Sequence, residues 1–315
     1  MKNFSNSYQR FVLGLDEINY AARNHLSEFI QDIEDYYNEQ LLKIAEYILG
    51  LRRSRVIVMI SGPSASGKTT TALMLKEKLK QLGVGVALIS LDDFYKERIE
   101  NEDLSYESPQ ALNIGQFKDC MKSLLRDGFC EIPKFNFINR KCEPYKNSIE
   151  LREDGVAIIE GIHGLNPVFT QSLPEESIVR IYISVKQGIN NCDSRIISNR
   201  EIRLIRRLVR DHDKRKSDPE NTLMMWEEVC RGQAAFIYPF KRTSDITVNS
   251  LHLYELCAMR NVAIPLLGRI KKDSPVYEYA LALTAQLERF TPISTEYVPK
   301  NSMLREFIGE SIYEK

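Results

Sequence analysis

The chain is short of several things. Its 315 residues include one tryptophan and four histidines. Its six cysteines (Cys120, Cys130, Cys142, Cys192, Cys230 and Cys257) form no C-x-x-C pair and have no histidine at ligand spacing. That scatter argues against a disulfide framework or a zinc site and suits reduced thiols in a cytoplasmic protein. No apolar run approaches the length of a membrane span and the N-terminus is polar, so neither a membrane segment nor a secretory leader is expected. Net charge is missing too, with 43 Lys+Arg against 43 Asp+Glu. A neutral chain has no global field to hold a nucleic-acid backbone, which disfavours that class of partner.

What remains is ordinary for a globular protein, 43% hydrophobic and 27% charged. The length allows one large α/β domain with appendages. Residues 1–50 read as an N-terminal helical segment, with Ile30, Ile33, Tyr37, Leu41, Ile44 and Ile48 forming one apolar stripe. The stripe is expected to pack on the body of the protein; a contact with a second copy of the chain is the alternative. Residues 51–270 form the main domain. Residues 271–315 add a helix from Ser274 to Leu287 and a tail packed on that domain.

Within the main domain, β-rich runs at Val56–Ile60, Val86–Ser90, Val156–Ile159, Val179–Ile183 and Ile246–Val248 alternate with helical patterns. Apolar strands alternating with helices predict an α/β fold, a five-stranded parallel sheet flanked by helices on both faces. Two polar, turn-rich stretches, 95–114 and 131–150, leave the sheet and could enclose a substrate.

Residues 62–69 read GPSASGKT and satisfy the phosphate-loop pattern G-x-x-x-x-G-K-[ST] between a strand and a helix. The loop from Gly62 through Ser64, Ala65, Ser66, Gly67, Lys68 and Thr69 to Thr70 can aim backbone N–H groups at a nucleoside triphosphate. Lys68 would reach the β- and γ-phosphates, and the Thr69 hydroxyl would ligate Mg²⁺. Acids stand at the next strand ends. Asp92 follows Val86–Ser90, where a carboxylate can take a proton from an attacking hydroxyl or join the metal through water. Glu160 closes the run Val156–Ile159, and Mg²⁺ is the natural partner of a buried acid there. His163, just beyond, reads equally well as a structural histidine or a substrate contact. Further on, Arg200, Arg203, Arg207, Arg210 and Lys214 fall three and four apart, a cationic stripe suited to closing over phosphates.

Together these segments resemble a known family. GPSASGKTTT, ISLDDFYKER, IPKFNF, AIIEGIHGLN, RLIRRLVRD and KRTSDITVNS occur in the order found in the uridine kinase and phosphoribulokinase group of P-loop kinases. The likeness is strongest to bacterial uridine kinase-like nucleoside kinases, many of which carry further N-terminal domains, including a TGS-like module; this chain is expected to begin after them. The resemblance covers about residues 27–315 and is more specific to the group than to a substrate. It implies Asp92 as catalytic base, Glu160 as the acid of the metal and nucleotide site, and Arg207 and Arg210 as lid arginines. On the acceptor side it implies Glu107, Phe135 and Arg140, and Asp93, Tyr95, His163 and Arg203 are further candidates for substrate contact. Tyr106-Glu107 stands where uridine kinases have a Phe-Asp pair that holds the ribose. Arg140 replaces a histidine that reads the pyrimidine edge, which puts the identity of the base in doubt.

The implied activity is ATP- and Mg²⁺-dependent phosphoryl transfer to the hydroxyl of a small molecule, with the 5′-hydroxyl of a nucleoside as the leading acceptor. Two alternatives stay open: a kinase of the same fold acting on a non-nucleoside alcohol, and an ATP-binding regulatory or RNA-associated protein of slow turnover.

Overall fold

Alternation of buried strands and amphipathic helices organises the chain. The computed structural model describes residues 14–51, 55–97, 107–136, 141–143, 147–192 and 194–313. In order, α1 (Leu15–Asn24), α2 (Leu26–Leu51), β1 (Val56–Ser61), α3 (Lys68–Gln81), β2 (Val86–Ser90) and α4 (Ile114–Asp127) come first. Four short strands follow: β3 (Phe129–Ile132), β4 (Phe135–Asn136), β5 (Lys141–Cys142) and β6 (Asn147–Glu150). Next are β7 (Val156–Glu160), the single-turn α5 (Pro167–Thr170), β8 (Ile178–Ser184), β9 (Ile189–Asn191) and β10 (Ser194–Ile197). The chain finishes with α6 (Asn199–Arg215), α7 (Pro219–Phe236), β11 (Ile246–Asn249), α8 (Glu255–Leu267), α9 (Tyr277–Glu288) and α10 (Arg305–Ile308).

Five strands pair in parallel in the order β11-β8-β1-β7-β2, the five-stranded parallel sheet expected from the sequence. The continuous apolar character of β1 has a direct cause, since its side chains alternate between two cores. Val56, Val58 and Ile60 face one core with Ala72, Leu75 and Leu79 of α3, while Ile57 and Met59 face the other with Phe117, Met121 and Leu124 of α4. The stretch 131–150 is not plain loop: β3 pairs with β6 and β4 with β5, both antiparallel. β9 and β10 form a third small ribbon ahead of the basic helix.

The apolar stripe of α2 is buried within the chain. Tyr37 Oη lies 2.6 Å from Thr71 Oγ1 of α3, and Glu34 Oε1 accepts hydrogen bonds from Ser302 Oγ at 2.6 Å and from Tyr254 Oη. This face is therefore spent on internal packing, and the expected alternative of a second copy docking on it is corrected. Leu283 and Leu287 of α9 and Phe307 of α10 join the same core as α2. Among the described residues, no helix is long and apolar enough to cross a membrane.

Candidate active site

The phosphate loop bridges the end of β1 and the start of α3. Gly67 sits at φ 86°, in the left-handed region, and a Cβ there would lie 2.3 Å from Met303 Sδ. Gly62 is needed for space, because a Cβ would stand 2.0 Å from the Ile183 carbonyl oxygen of β8. Ala65 also takes a positive φ of 57°. Alternate residues bent this way, Ala65 and Gly67, turn the loop's N–H groups inward and make an anion-binding nest at the positive end of α3. Ser66 Oγ, buried in the loop, has no hydrogen-bond partner among the described residues.

Lys68 is buried and its ammonium donates to the Pro63 carbonyl at 3.1 Å. Burial pulls its pKa down, while Glu160, Glu306 and Asp92 pull the other way. Four charged groups thus meet at the start of α3. Glu160, the last residue of β7, accepts from Ser90 Oγ of β2 at 2.9 Å and from Thr69 Oγ1 at 3.4 Å. The in-register neighbours Ser90 and Glu160 place these groups at one end of the sheet, outside the strand C-termini where open α/β sheets take ligands. Burial raises the Glu160 carboxyl to about 7, with the charge of Asp92 adding to the effect and Lys68 opposing it. Asp92 lies in the turn after β2, where its N–H is held by Ser90 Oγ at 3.3 Å. Burial raises its pKa as well, against Lys68, Arg215 and Arg210.

A buried and a half-buried carboxylate that resist ionising in each other's presence, beside a threonine hydroxyl, fit a small divalent cation. The donors are hard oxygens, and the added charge would let both acids ionise. Among the described residues, no three His, Cys, Asp or Glu side chains form a self-sufficient metal cage. Mg²⁺ takes few protein ligands and completes its shell with phosphate oxygens and water.

The basic helix α6 starts at a capping box of Ser198 and Glu201. Its cations do not share one duty. Arg207 Nη1 donates to Ser64 Oγ at 3.0 Å, and Asp211 gathers Arg207 at 3.2 Å and Arg210 at 2.8 Å. Of these two, the expected lid arginines, Arg207 touches the loop, while Arg210 acts on Lys68 and Asp92 through its charge. Lys214 instead donates to the Glu306 carbonyl at 2.6 Å, and Arg200 pairs with Glu227 of α7. Arg203, expected on the acceptor side, donates to the Ser64 carbonyl at 3.1 Å, to Gln233 Oε1 at 2.9 Å and to Tyr238 Oη at 3.3 Å. It lines a cavity treated below, whose lining does not include Asp92.

Of the other acceptor-side residues, Tyr95 and Phe135 meet with ring centroids 5.7 Å apart, and both are buried. Asp93 accepts a hydrogen bond from the Phe135 backbone and is raised to about 6, chiefly by burial. Glu107 packs against Gly232 of α7. Burial raises its pKa and Arg207 and Lys68 lower it, so it lies within reach of the loop's charges. His163 is 1% exposed, and the polar group that meets its ring is the Glu107 backbone. Burial lowers its pKa to about 4, so the ring is neutral. Tyr106 and Arg140 lie outside the described residues.

Two residues that sequence reasoning did not select sit against the loop. Arg206 is fully buried, pairs with Glu255 at 2.5 Å and donates to the carbonyls of Ser250 at 2.6 Å and Ala65 at 3.4 Å. Glu306 of α10 accepts from the Thr70 N–H at 3.2 Å. Neither had a local signal: Arg206 stood among other arginines, and Glu306 lay far down the chain.

A Gly-Lys-Thr loop at a strand–helix junction, with carboxylates on the neighbouring strand ends, defines the class of P-loop phosphotransferases. The chain belongs to the phosphoribulokinase / uridine kinase family, whose model matches residues 57–256. Uridine kinase of Borrelia turicatae is 30% identical over 197 residues, covering 61% of this chain and 85% of that protein. Uridine kinase of Mycoplasma genitalium is 26% identical over 197 residues, covering 61% and 83%. Among solved structures, phosphoribulokinase from Rhodobacter spheroides aligns with a TM-score of 0.43 at 15% identity, over 61% of this chain and 69% of that one.

Proposed function

We propose that the protein transfers the γ-phosphoryl group of ATP to the 5′-hydroxyl of a nucleoside. The observation that carries this reading is the convergence of Lys68, Thr69, Asp92 and Glu160 at one sheet end, with Glu107 and His163 close enough to feel the Lys68 charge. The uridine kinases it resembles carry the acceptor assignment, while the base remains open because Arg140 departs from their pattern.

In this reading Asp92 accepts the proton of the attacking hydroxyl as the new O–P bond forms and the bond to the leaving diphosphate breaks. Its raised pKa makes it a stronger base than an ordinary aspartate. Lys68, Arg207 and Arg210 hold the transferring group and offset its charge. The Thr69 hydroxyl and Glu160 would hold Mg²⁺, which when bound draws charge from the phosphate oxygens. Glu107 would accept hydrogen bonds from the ribose hydroxyls, and the Tyr95–Phe135 pair would cover the ring.

The test is ATP consumption across a panel of nucleosides, sugars and polyols, on the wild type and Glu107→Ala. A ribonucleoside acceptor whose KM rises in the variant, with KM for ATP little changed, supports the proposal; a hydrogen bond to a charged acceptor is worth about 1.5–3 kcal/mol. A non-nucleoside alcohol phosphorylated equally by both proteins would sink the nucleoside assignment.

A further inference from the structure

A cavity of about 750 Å³ opens beside the phosphate loop, and Lys68, Asp92, Glu160 and His163 are not among its lining residues. It lies between the strands β8 and β11, the start of α6 and the turn Tyr238–Thr243. Pro63 of the loop forms part of its wall. This volume lies within the range typical of small-molecule sites, roughly 300–1,000 Å³.

The lining is strongly one-sided in charge. Lys186, Arg200, Arg203, Lys241 and Arg242 face a single carboxylate, Asp245. That carboxylate is engaged by Arg180, accepting from its backbone N–H at 2.8 Å and standing 4.0 Å from its guanidinium. Arg200 has its own acid in Glu227. Arg203 is the decisive residue. It is 4% exposed, and among the described residues its hydrogen bonds go only to the neutral Ser64 carbonyl, Gln233 and Tyr238. A buried guanidinium held by neutral groups is expensive, and an anion is the partner that repays its desolvation. The chain as a whole has equal numbers of acidic and basic residues, 43 of each, so this concentration is local and not the overflow of a basic protein.

We infer that this cavity binds a small phosphate-bearing anion, at a site separate from the phosphoryl-transfer centre. Guanidinium forks and ammonium groups together suit phosphate oxygens, and several cations suit a diphosphate better than a lone carboxylate. Burial lowers the Lys186 ammonium to about 8, which leaves it largely charged at neutral pH, and a bound anion would raise it again. The same residue donates to Thr247 Oγ1 at 2.7 Å, which aims it along β11. Arg203 links the cavity to the loop, because the guanidinium that lines the cavity also holds the Ser64 carbonyl. An anion that draws on Arg203 shifts that bond, so occupancy here and at the phosphate loop are thermodynamically coupled, reciprocally.

The readout is built in. Trp226 is the chain's only tryptophan, and the Arg203 guanidinium lies 5.3 Å from its ring centroid. The experiment titrates inorganic pyrophosphate into Lys68→Ala protein, which weakens binding at the phosphate loop, and follows heat and Trp226 fluorescence. A parallel arm uses Lys68→Ala combined with Lys241→Glu and Arg242→Glu, two exposed positions where charge reversal leaves the fold intact, checked by circular dichroism and melting. The expected result is one saturable site with a fluorescence change, weakened at least about tenfold by the charge reversals and by added salt. A nucleoside diphosphate titrated alongside separates the two sources of the phosphate: tighter binding than pyrophosphate adds a ring contact at Tyr182 or Tyr238, and equal binding assigns the phosphates alone. Either sustains the site. Absence of saturable binding, or binding that the charge reversals leave unchanged, overturns it.

Discussion

The Glu306 carboxylate accepts a hydrogen bond from the Thr70 N–H at 3.2 Å, which places an acid of the chain's last helix at the positive end of α3. That end is the nest a nucleotide's phosphates would occupy. Lys214 of the basic helix holds the Glu306 carbonyl at 2.6 Å, so the tail and the lid helix are tied together there. Glu306→Gln should therefore bind Mg-ATP more tightly, by roughly fivefold, since a charge at a helix terminus is worth about 1 kcal/mol. Calorimetric titration decides it. Weaker binding by the variant would mean that Glu306 assists the nucleotide or its metal.

Asp92→Asn is nearly isosteric, so it should leave ATP affinity close to the wild type while kcat falls by roughly 10² or more. Steady-state kinetics beside direct ATP binding separates the two. If kcat holds and only the Mg²⁺ requirement moves, Asp92 belongs to the metal's surroundings instead of acting as a base.

His163 should make the protein acid-sensitive. Its folded pKa is depressed to about 4 from an ordinary 6.5 by burial, so its contribution to stability is present above pH 6.5 and is lost as pH falls toward 4. Linkage puts the loss at roughly 2 kcal/mol between pH 7 and pH 5. Urea unfolding of the wild type and His163→Phe at both pH values reads this difference. The buried His252 shifts in the same direction in both proteins, so it cancels from the comparison. Equal losses in the two proteins would refute it.

The Arg206–Glu255 pair, fully buried, should be costly to break from one side. Glu255→Gln strands the guanidinium charge and is expected to lower stability by about 3 kcal/mol or more. Because Arg206 also holds the Ala65 carbonyl, the variant should lose nucleotide affinity as well as stability. A denaturant midpoint unchanged from the wild type would show that the ion pair is dispensable.

Periodicity and motif spacing determined much of this protein before any packing was known. Strand-length apolar runs predicted five strands of the parallel sheet, because a strand buried on both faces has little choice of composition. The phosphate loop was legible because its glycines, lysine and threonine are close neighbours in sequence and its geometry is local. Asp92 and Glu160 stood out in the sequence because each marks the end of an apolar run. Tertiary structure alone decided how α6 divides its cations: Arg207 to the loop, Arg203 to a neighbouring cavity, Arg206 to a buried ion pair and Lys214 to the tail. It also decided that the α2 stripe is covered in cis and that Glu306 reaches Thr70. Helical spacing fixes the angle of a side chain about its own axis, but what it meets there is set by elements that arrive from distant parts of the chain.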